Sequence, residues 1–163
     1  MFHRTVSAAI LLAALALACA CPVQAWQDPL FPVEGRFVLS PAAGPKLLAQ
    51  CSRNTPSGIT EYWEPSIAEI AELETKLPRF LVSYKHRGGR IPPLSHSYNR
   101  QYVGFVRGGV RFIYGNFYPH DMPFRKREST SPIIICDGGS DFWGIAYRVD
   151  THEFEEPQMN GEA

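Results

Sequence analysis

Two segments rich in aromatic and β-branched residues, joined by a pair of glycines, constrain the fold of this chain more than any other feature. Residues 98–106 and 110–118 have the composition of β-strands, and Gly108-Gly109 lies between them. Glycines tolerate the positive φ angles that a tight two-residue hairpin turn requires. The sequence therefore predicts a β-hairpin whose turn also sets the pairing register.

That register predicts two hairpin faces of different character. One face is strongly apolar, and on the other each glycine lies beside a bulky residue of the facing strand. The predicted pairs are Val103 with Tyr114, Phe105 with Phe112, Tyr102 with Gly115, Gly104 with Ile113, Arg100 with Phe117 and Arg111 with Val106.

The clearest helix signal runs from Ser66 to Leu77. Ser66 and Glu69 have the spacing of a capping box, in which each side chain accepts a hydrogen bond from the other residue's backbone N–H. Pro78 is expected to end or kink the helix, with one further turn over residues 80–82 as the alternative. An apolar stripe follows the helical period through Ile67, Ile70, Leu73 and Leu77.

Shorter elements complete the predicted domain. The run Ile133–Cys136 is predicted to be a central strand buried on both faces. Residues 83–97 contain paired glycines, paired prolines and little to bury, so they are predicted to form a mobile surface loop. The remaining predictions are a strand over 37–39, a helical turn over 46–49, a half-buried strand over 142–149 and a frayed end over 157–163.

Together these elements predict an α+β fold, with one main helix packed on an antiparallel sheet of four to five strands. Cystatin-like proteins have this order of elements, so the predicted architecture resembles a cystatin-like roll. An architecture of this kind does not by itself carry a function.

The first 25 residues have the layout of a secretory signal peptide. A basic start at Met1–Arg4 precedes the apolar run Val6–Ala18, and small residues at Val23 and Ala25 suit a cleavage site. We therefore expect residues 1–25 to be removed and residues 26–163 to form a single α+β domain in the periplasm or outside the cell. The alternative is a lipoprotein signal over residues 16–19, in which Cys19 is acylated and attaches the chain to a membrane.

Cleavage after Ala25 leaves two cysteines, Cys51 and Cys136. An even pair in an oxidising compartment predicts a disulfide bond, and two buried free thiols are the alternative. A bond between residues 51 and 136 would close a long loop, and the chain-entropy treatment then predicts that it stabilises the folded protein by roughly 4 kcal/mol.

The net charge is zero, but the charges are segregated. Residues 76–127 contain eleven Lys or Arg and a single acid, whereas residues 61–74 contain five acids and no base. A basic region of this kind is one signal of an anionic partner, such as an acidic protein surface or an anionic polymer. The charge pattern itself favours the other interpretation, in which the acidic helix and tail fold beside the basic strands and neutralise them internally. The candidate contact residues are Lys85, Arg87 and Arg90, with Arg125, Lys126 and Arg127.

Signals for catalysis, metals or nucleic acid are weak. No Gly-x-Ser-x-Gly motif is present, and His120-Asp121 and His152-Glu153 lack the ligand spacing of zinc sites. Asp137 and Asp141 flank two glycines, which indicates a turn more than a calcium loop. No cofactor, metal or nucleic acid is expected.

A glycosidase would need two carboxylates facing a cleft. Glu61 and Glu64 flank Trp63, an aromatic side chain that could stack on a sugar. The alternative is that Trp63 belongs to the core and the glutamates form a solvated edge.

Several motifs resemble those of known families. Gln101–Gly104 resembles the glutamine-to-glycine loop of cystatins but is one residue shorter. The last two thirds of the chain resembles a family of small exported bacterial proteins with no assigned activity. The segments that carry this second resemblance are Arg100–Gly104, Ile113–Pro119, Cys136–Gly139 and Phe142–Gly144.

The sequence therefore predicts an exported, non-catalytic binding domain, with a protein-binding or inhibitor-like role in the bacterial envelope. A hydrolase acting on cell-wall or other envelope carbohydrate is one alternative. A structural lipoprotein anchored to the envelope is the other.

Overall fold

A seven-stranded mixed sheet forms the centre of the protein. The computed structural model describes residues 31–122 and 128–162, so the predicted signal peptide and Cys19 lie outside the described residues. The elements are β1 (Arg36–Val38), α1 (Gly44–Leu47), β2 (Ile59–Trp63), α2 (Ile67–His86), β3 (Tyr98–Arg107), β4 (Val110–Pro119), β5 (Trp143–Arg148), β6 (Glu153–Phe154) and β7 (Gln158–Met159).

The sheet order is β1-β3-β4-β5-β6, with β2 also pairing β3 and β7 also pairing β5. The α+β class is as predicted, but the sheet is larger than four to five strands. It is also not purely antiparallel, because β1 runs parallel to β3. The short N-terminal strand had no turn signal from which its direction could be predicted.

The predicted hairpin register is confirmed over its whole length. Val103 pairs with Tyr114, and Phe105 pairs with Phe112. Gly108 and Gly109 have φ angles of 60° and 76°, the left-handed values expected of this turn. Local turn geometry and side-chain alternation act in the same direction here, so the pairing could be predicted from the sequence.

Helix α2 begins as predicted but ends later. Both hydrogen bonds of the Ser66–Glu69 capping box are present. The helix continues through Pro78 to His86, so the alternative of a further turn over residues 80–82 is confirmed. A helix end at Leu77 and the predicted loop over residues 83–86 are wrong. A proline inside a helix costs roughly 3 kcal/mol. Burial of Leu81, which is fully inaccessible, extends the apolar stripe past the proline and offsets part of that cost.

Each face of the sheet is covered by a different part of the chain. On one face α2 contributes Ile70, Leu73, Leu77 and Leu81 to a cluster that includes Tyr102, Phe117 and Trp143. The opposite face, with Val103, Phe105, Phe112 and Tyr114, is covered by Leu39, Leu47 and Leu48. Both faces are therefore buried, and β3 and β4 are central strands.

Strand β2 was not predicted. It runs antiparallel to β3, and Trp63 pairs with Gly104. The indole ring lies so close to Gly104 that a Cβ atom there would collide with it. The glycine is thus required by the close approach of a tryptophan on a strand that the sequence pattern did not reveal.

The segment Ile133–Cys136 is not a strand, contrary to prediction. Its backbone is bound by amide side chains of the sheet. The Ile133 N–H donates to Gln101 Oε1 at 2.8 Å, and the Ile133 carbonyl accepts from Asn116 Nδ2 at 3.0 Å. Because these side chains satisfy the backbone groups, the segment lies across the sheet face instead of joining its ladder.

The C-terminal residues are also ordered where fraying was predicted. Asn160 is only 2% exposed, and its Nδ2 donates to the carbonyls of Ile135 and Asp137. Strand β7, which directly precedes Asn160 in the sequence, pairs with β5. Side-chain amides therefore hold both the 133–137 segment and the C-terminal segment in place.

Replacing Gln101 with leucine is expected to destabilise the protein by about 2–4 kcal/mol, because a buried amide with four hydrogen bonds is lost. Its Oε1 accepts from the Ile133 N–H and, at 3.4 Å, from Asn116 Nδ2. Its Nε2 donates to the carbonyls of Glu128 and Ser131. Amide hydrogen exchange should show lost protection at Ile133, while the β3–β4 ladder retains it. Unchanged exchange at Ile133 would show that the amide does not hold this segment.

The predicted disulfide between Cys51 and Cys136 is confirmed. It joins the loop after α1 to the segment that Gln101 and Asn116 bind. Within residues 31–122 and 128–162, no helix combines the length and the apolar character needed to cross a bilayer.

Candidate functional site

A cavity of about 540 Å³ lies at one end of the central hairpin. We call it the histidine pocket, and the side chains that matter for its chemistry are His96, His120, Asp121, Met122, Asp141 and Phe142. Tyr98 pairs with Pro119, so the residues before β3 and after β4 meet at this end. The backbone N–H of His120 donates to the Ser97 carbonyl at 2.9 Å, which continues the β3–β4 hydrogen-bond ladder up to the pocket.

A chain of buried polar groups orients His120. Asn99 Nδ2 donates to Glu128 Oε1 at 2.9 Å, and Asn99 Oδ1 faces His120 Nδ1. Asn99 and Glu128 are 3% and 2% exposed. The Asn99 amide nitrogen donates to the Glu128 carboxylate, so the atom that faces His120 is the amide oxygen, which can only accept. The proton of a neutral His120 ring is therefore on Nδ1. Its Nε2 is then a hydrogen-bond acceptor.

The second imidazole of the pocket lies beside a carboxylate. His96 Nδ1 is 3.4 Å from Asp141 Oδ1, and both side chains are partly exposed. Asp141 follows a turn in which Gly138 and Gly139 have φ angles of 88° and 59°. This is the glycine-rich turn that the sequence predicted in preference to a calcium loop.

The other candidate histidine lies elsewhere. His152 Nδ1 lies 2.9 Å from Tyr147 Oη and 3.0 Å from Glu72 Oε1, against helix α2. In the described part of the chain, no set of three or more His, Cys, Asp or Glu side chains is placed to hold a metal ion.

The predicted basic contact residues are only partly on a loop. Lys85 lies in the last turn of α2 and Arg87 is its C-cap residue. Arg87 donates to Ser83 Oγ at 2.7 Å and lies over the ring of Tyr84. Arg90 follows the helix, with its guanidinium 4.0 Å from Glu162. Arg125, Lys126 and Arg127 lie outside the described residues.

Many of the remaining charges are paired within the protein, as one of the two sequence interpretations predicted. Helix α2 supplies most of the carboxylates, and the C-terminal segment supplies another. The pairs are Arg111 with Glu69, Lys76 with Glu72, Arg36 and Arg100 with Glu74, and Arg107 with Glu155.

The most buried of these pairs involves Glu74, which sequence reasoning missed. Arg100 is completely buried, and its Nε donates to Glu74 Oε1 at 2.7 Å. The same oxygen accepts from Tyr102 Oη at 3.0 Å, and Arg36 binds the other oxygen. Burial opposes ionisation of Glu74, but the hydrogen bonds from Arg100 and Arg36 outweigh it and lower its pKa. The signal in the sequence was an acid on the same helix face as Ile70, Leu77 and Leu81.

Arg100 also binds the N-terminal segment of the described chain. Its Nη2 donates to the Phe31 carbonyl at 3.1 Å, and its Nη1 donates to the Pro32 carbonyl. One guanidinium therefore connects α2, β3 and the segment before β1. This cluster is an internal structural centre, because Arg100 and Glu74 are buried and bind each other and nearby groups of the protein.

The candidate carbohydrate site has a different arrangement from the one proposed on the sequence. Trp63 lies over Gly104 on one side, and the Arg111 guanidinium lies 3.6 Å from its ring centre. Its Nε1 donates to the Phe105 carbonyl at 3.3 Å. Glu61 and Glu64 are exposed. The indole is thus half-buried and packs against the edge of the core cluster, which is closer to the alternative interpretation than to an open sugar-stacking surface.

No family model, curated protein or solved structure matches this chain in the comparisons made.

Proposed function

We propose that this chain is an exported, non-catalytic binding domain that engages an anionic partner through the end of α2 and the residues after it. The partner class is an acidic surface of an envelope or extracellular protein, or an anionic polymer. The contact residues are Lys85, Arg87 and Arg90, together with Arg125, Lys126 and Arg127.

The observation that carries this proposal is the distribution of carboxylates around the cations. In residues 31–122 and 128–162, Lys85 and Arg87 have no carboxylate within ion-pairing distance, whereas Arg36, Arg100, Arg107 and Arg111 each have one. Arg90 and Glu162 are both mostly exposed and 4.0 Å apart, so solvent screens their attraction. These three cations are therefore available to an external anion.

Export is supported by the signal-like residues 1–25 and is compatible with the Cys51–Cys136 disulfide, which would persist in an oxidising compartment. The resemblance to small exported bacterial proteins points the same way. A helix lying across a largely antiparallel sheet also supports the cystatin-like comparison, which we propose for the architecture alone.

The test uses a heparin column as the anionic probe. The triple variant Lys85→Gln, Arg87→Gln, Arg90→Gln is expected to bind heparin about tenfold more weakly at low salt, because three exposed ion pairs of roughly 0.5 kcal/mol each are lost. Its affinity should also depend less steeply on salt, since fewer screened contacts remain.

A matched control changes cations elsewhere on the surface. Lys46 is exposed on α1, which covers the sheet face opposite α2, and Arg148 is paired with Asp150. Lys46→Gln and Arg148→Gln should therefore leave heparin binding nearly unchanged. Equal elution of the triple variant and the control pair would contradict the proposed contact surface.

A further inference from the structure

We propose that the histidine pocket is a binding site for a primary ammonium group carried on an apolar body, such as an alkylamine, an arylalkylamine or a lysine side chain. This inference concerns a different surface and a ligand of opposite charge, and it does not rest on the proposed function.

The first argument is the orientation of His120. Its Nδ1–H is committed to Asn99, whose amide is in turn held by the buried Glu128 carboxylate. The two nitrogens lie on different edges of the ring, so Nε2 is turned away from Asn99. His120 lines the pocket, so a ligand that reaches the ring edge away from Asn99 meets the acceptor nitrogen of the neutral ring and must donate a hydrogen bond to it.

The second argument is charge. Asp121 and Asp141 both line the pocket, and the described ion pairs give Asp141 only a long contact to His96. His96 directs Nδ1 towards that carboxylate, so a neutral His96 ring also has its acceptor nitrogen on the other edge. Among the described lining residues, two carboxylates and two imidazole acceptors favour a cationic donor over an anion.

The third argument is size and lining. Pro119, Met122 and Phe142 supply apolar surface next to these acceptors. A volume of about 540 Å³ falls within the range of small-molecule sites, roughly 300–1,000 Å³. An ammonium group has three donors in a compact head, and its apolar body would cover the Phe142 and Met122 side chains.

The probes for the test are 4-phenylbutylamine, 4-phenylbutanol and 4-phenylbutyrate, which share one body and differ in the terminal group. Calorimetry with the intact mature protein at pH 8 should show the amine binding with a dissociation constant on the order of 1 mM or tighter. The alcohol should bind about tenfold more weakly, and the acid should not bind. Equal binding of the acid and the amine would overturn the proposal, as would no amine binding at all.

Two substitutions locate the site. His120→Phe keeps a ring of similar shape and removes the acceptor, so amine affinity should fall about tenfold; Asp121→Asn should weaken it about fivefold. The matched controls are His86→Phe and Asp150→Asn, which lie away from the pocket and should bind the amine normally. Unchanged affinity in His120→Phe would refute the assignment.

A measurement on the unmodified protein covers the case in which His120→Phe does not fold. The ¹⁵N resonances of His120 should show Nδ1 protonated in the free protein, and the amine should shift Nε2 selectively. A protonated Nε2 in the free protein would overturn the proposal. The Lys85, Arg87 and Arg90 triple variant should bind the amine normally, so failure of this site and failure of the heparin surface are distinguishable.

Discussion

Replacing Glu74 with alanine is expected to destabilise the protein by about 3–5 kcal/mol, because it leaves a buried cation without its counter-ion. Arg100 is fully inaccessible, and Glu74 is its only carboxylate within ion-pairing distance in the described chain. The loss should appear as a lower urea midpoint with little change in the slope of unfolding free energy against denaturant.

The matched control is Glu72→Ala, two residues earlier on the same helix. Glu72 is exposed, pairs with Lys76 one turn later and lies 3.0 Å from His152. Solvent screens exposed pairs of this kind, so Glu72→Ala should cost much less stability than Glu74→Ala. Similar losses in the two variants would show that the buried cluster contributes no more than a surface pair.

The Glu74 carboxylate should also make stability depend on pH. Its pKa in the folded protein is lowered by Arg100 and Arg36, so its contribution is complete above the unfolded-state value of about 4.3. That contribution is lost as the pH falls through the lower, folded-state pKa. Wild-type stability should therefore fall more steeply below about pH 4 than that of Glu74→Ala.

Removing the disulfide with Cys51→Ser and Cys136→Ser is expected to destabilise the protein by roughly 4 kcal/mol. Both cysteines lie in exposed positions outside the two apolar clusters, so serine leaves no cavity. In the oxidised protein the disulfide closes a loop between two cysteines that are 85 residues apart in the sequence. Without it the unfolded chain has more conformational freedom, and this should be the main source of the lost stability.

Reduced wild-type protein and the double variant should have the same urea midpoint, below that of the oxidised protein. The slope of unfolding free energy against urea concentration should be larger for the reduced protein and for the double variant, because the unfolded chain is less compact without the disulfide. A midpoint unaffected by reduction would mean that native-state strain cancels the entropic gain.

Features set by neighbouring residues were predictable. The hairpin follows from two glycines between alternating strands, and the start of α2 follows from a serine and a glutamate three residues apart. Both depend on a few consecutive backbone angles and nearby hydrogen bonds. The disulfide was predictable for a different reason: only two cysteines remain after the expected cleavage site.

Features decided by distant contacts were not predictable. Helix α2 continues through Pro78 because Leu81 is buried against the sheet, and nothing near the proline signals that contact. The run Ile133–Cys136 has a strand-like composition, yet Gln101 and Asn116 hydrogen-bond the backbone of Ile133, and Asn160 binds the Ile135 carbonyl. In the histidine pocket, His120 and Asp121 were considered only as metal ligands, and their relation to His96 depends on the pairing of β3 with β4.

The amino-acid sequence by itself determined the α+β class, the hairpin register, the helix start and the cysteine pair, because short-range geometry and composition are sufficient for each. Only the tertiary structure decided which buried polar groups meet: Glu74 with Arg100, Gln101 with Ile133, and Glu128 with His120 through Asn99. Buried polar groups must find partners, and those partners lie on segments far apart in the chain. The position of each acceptor therefore depends on the packing of the whole domain.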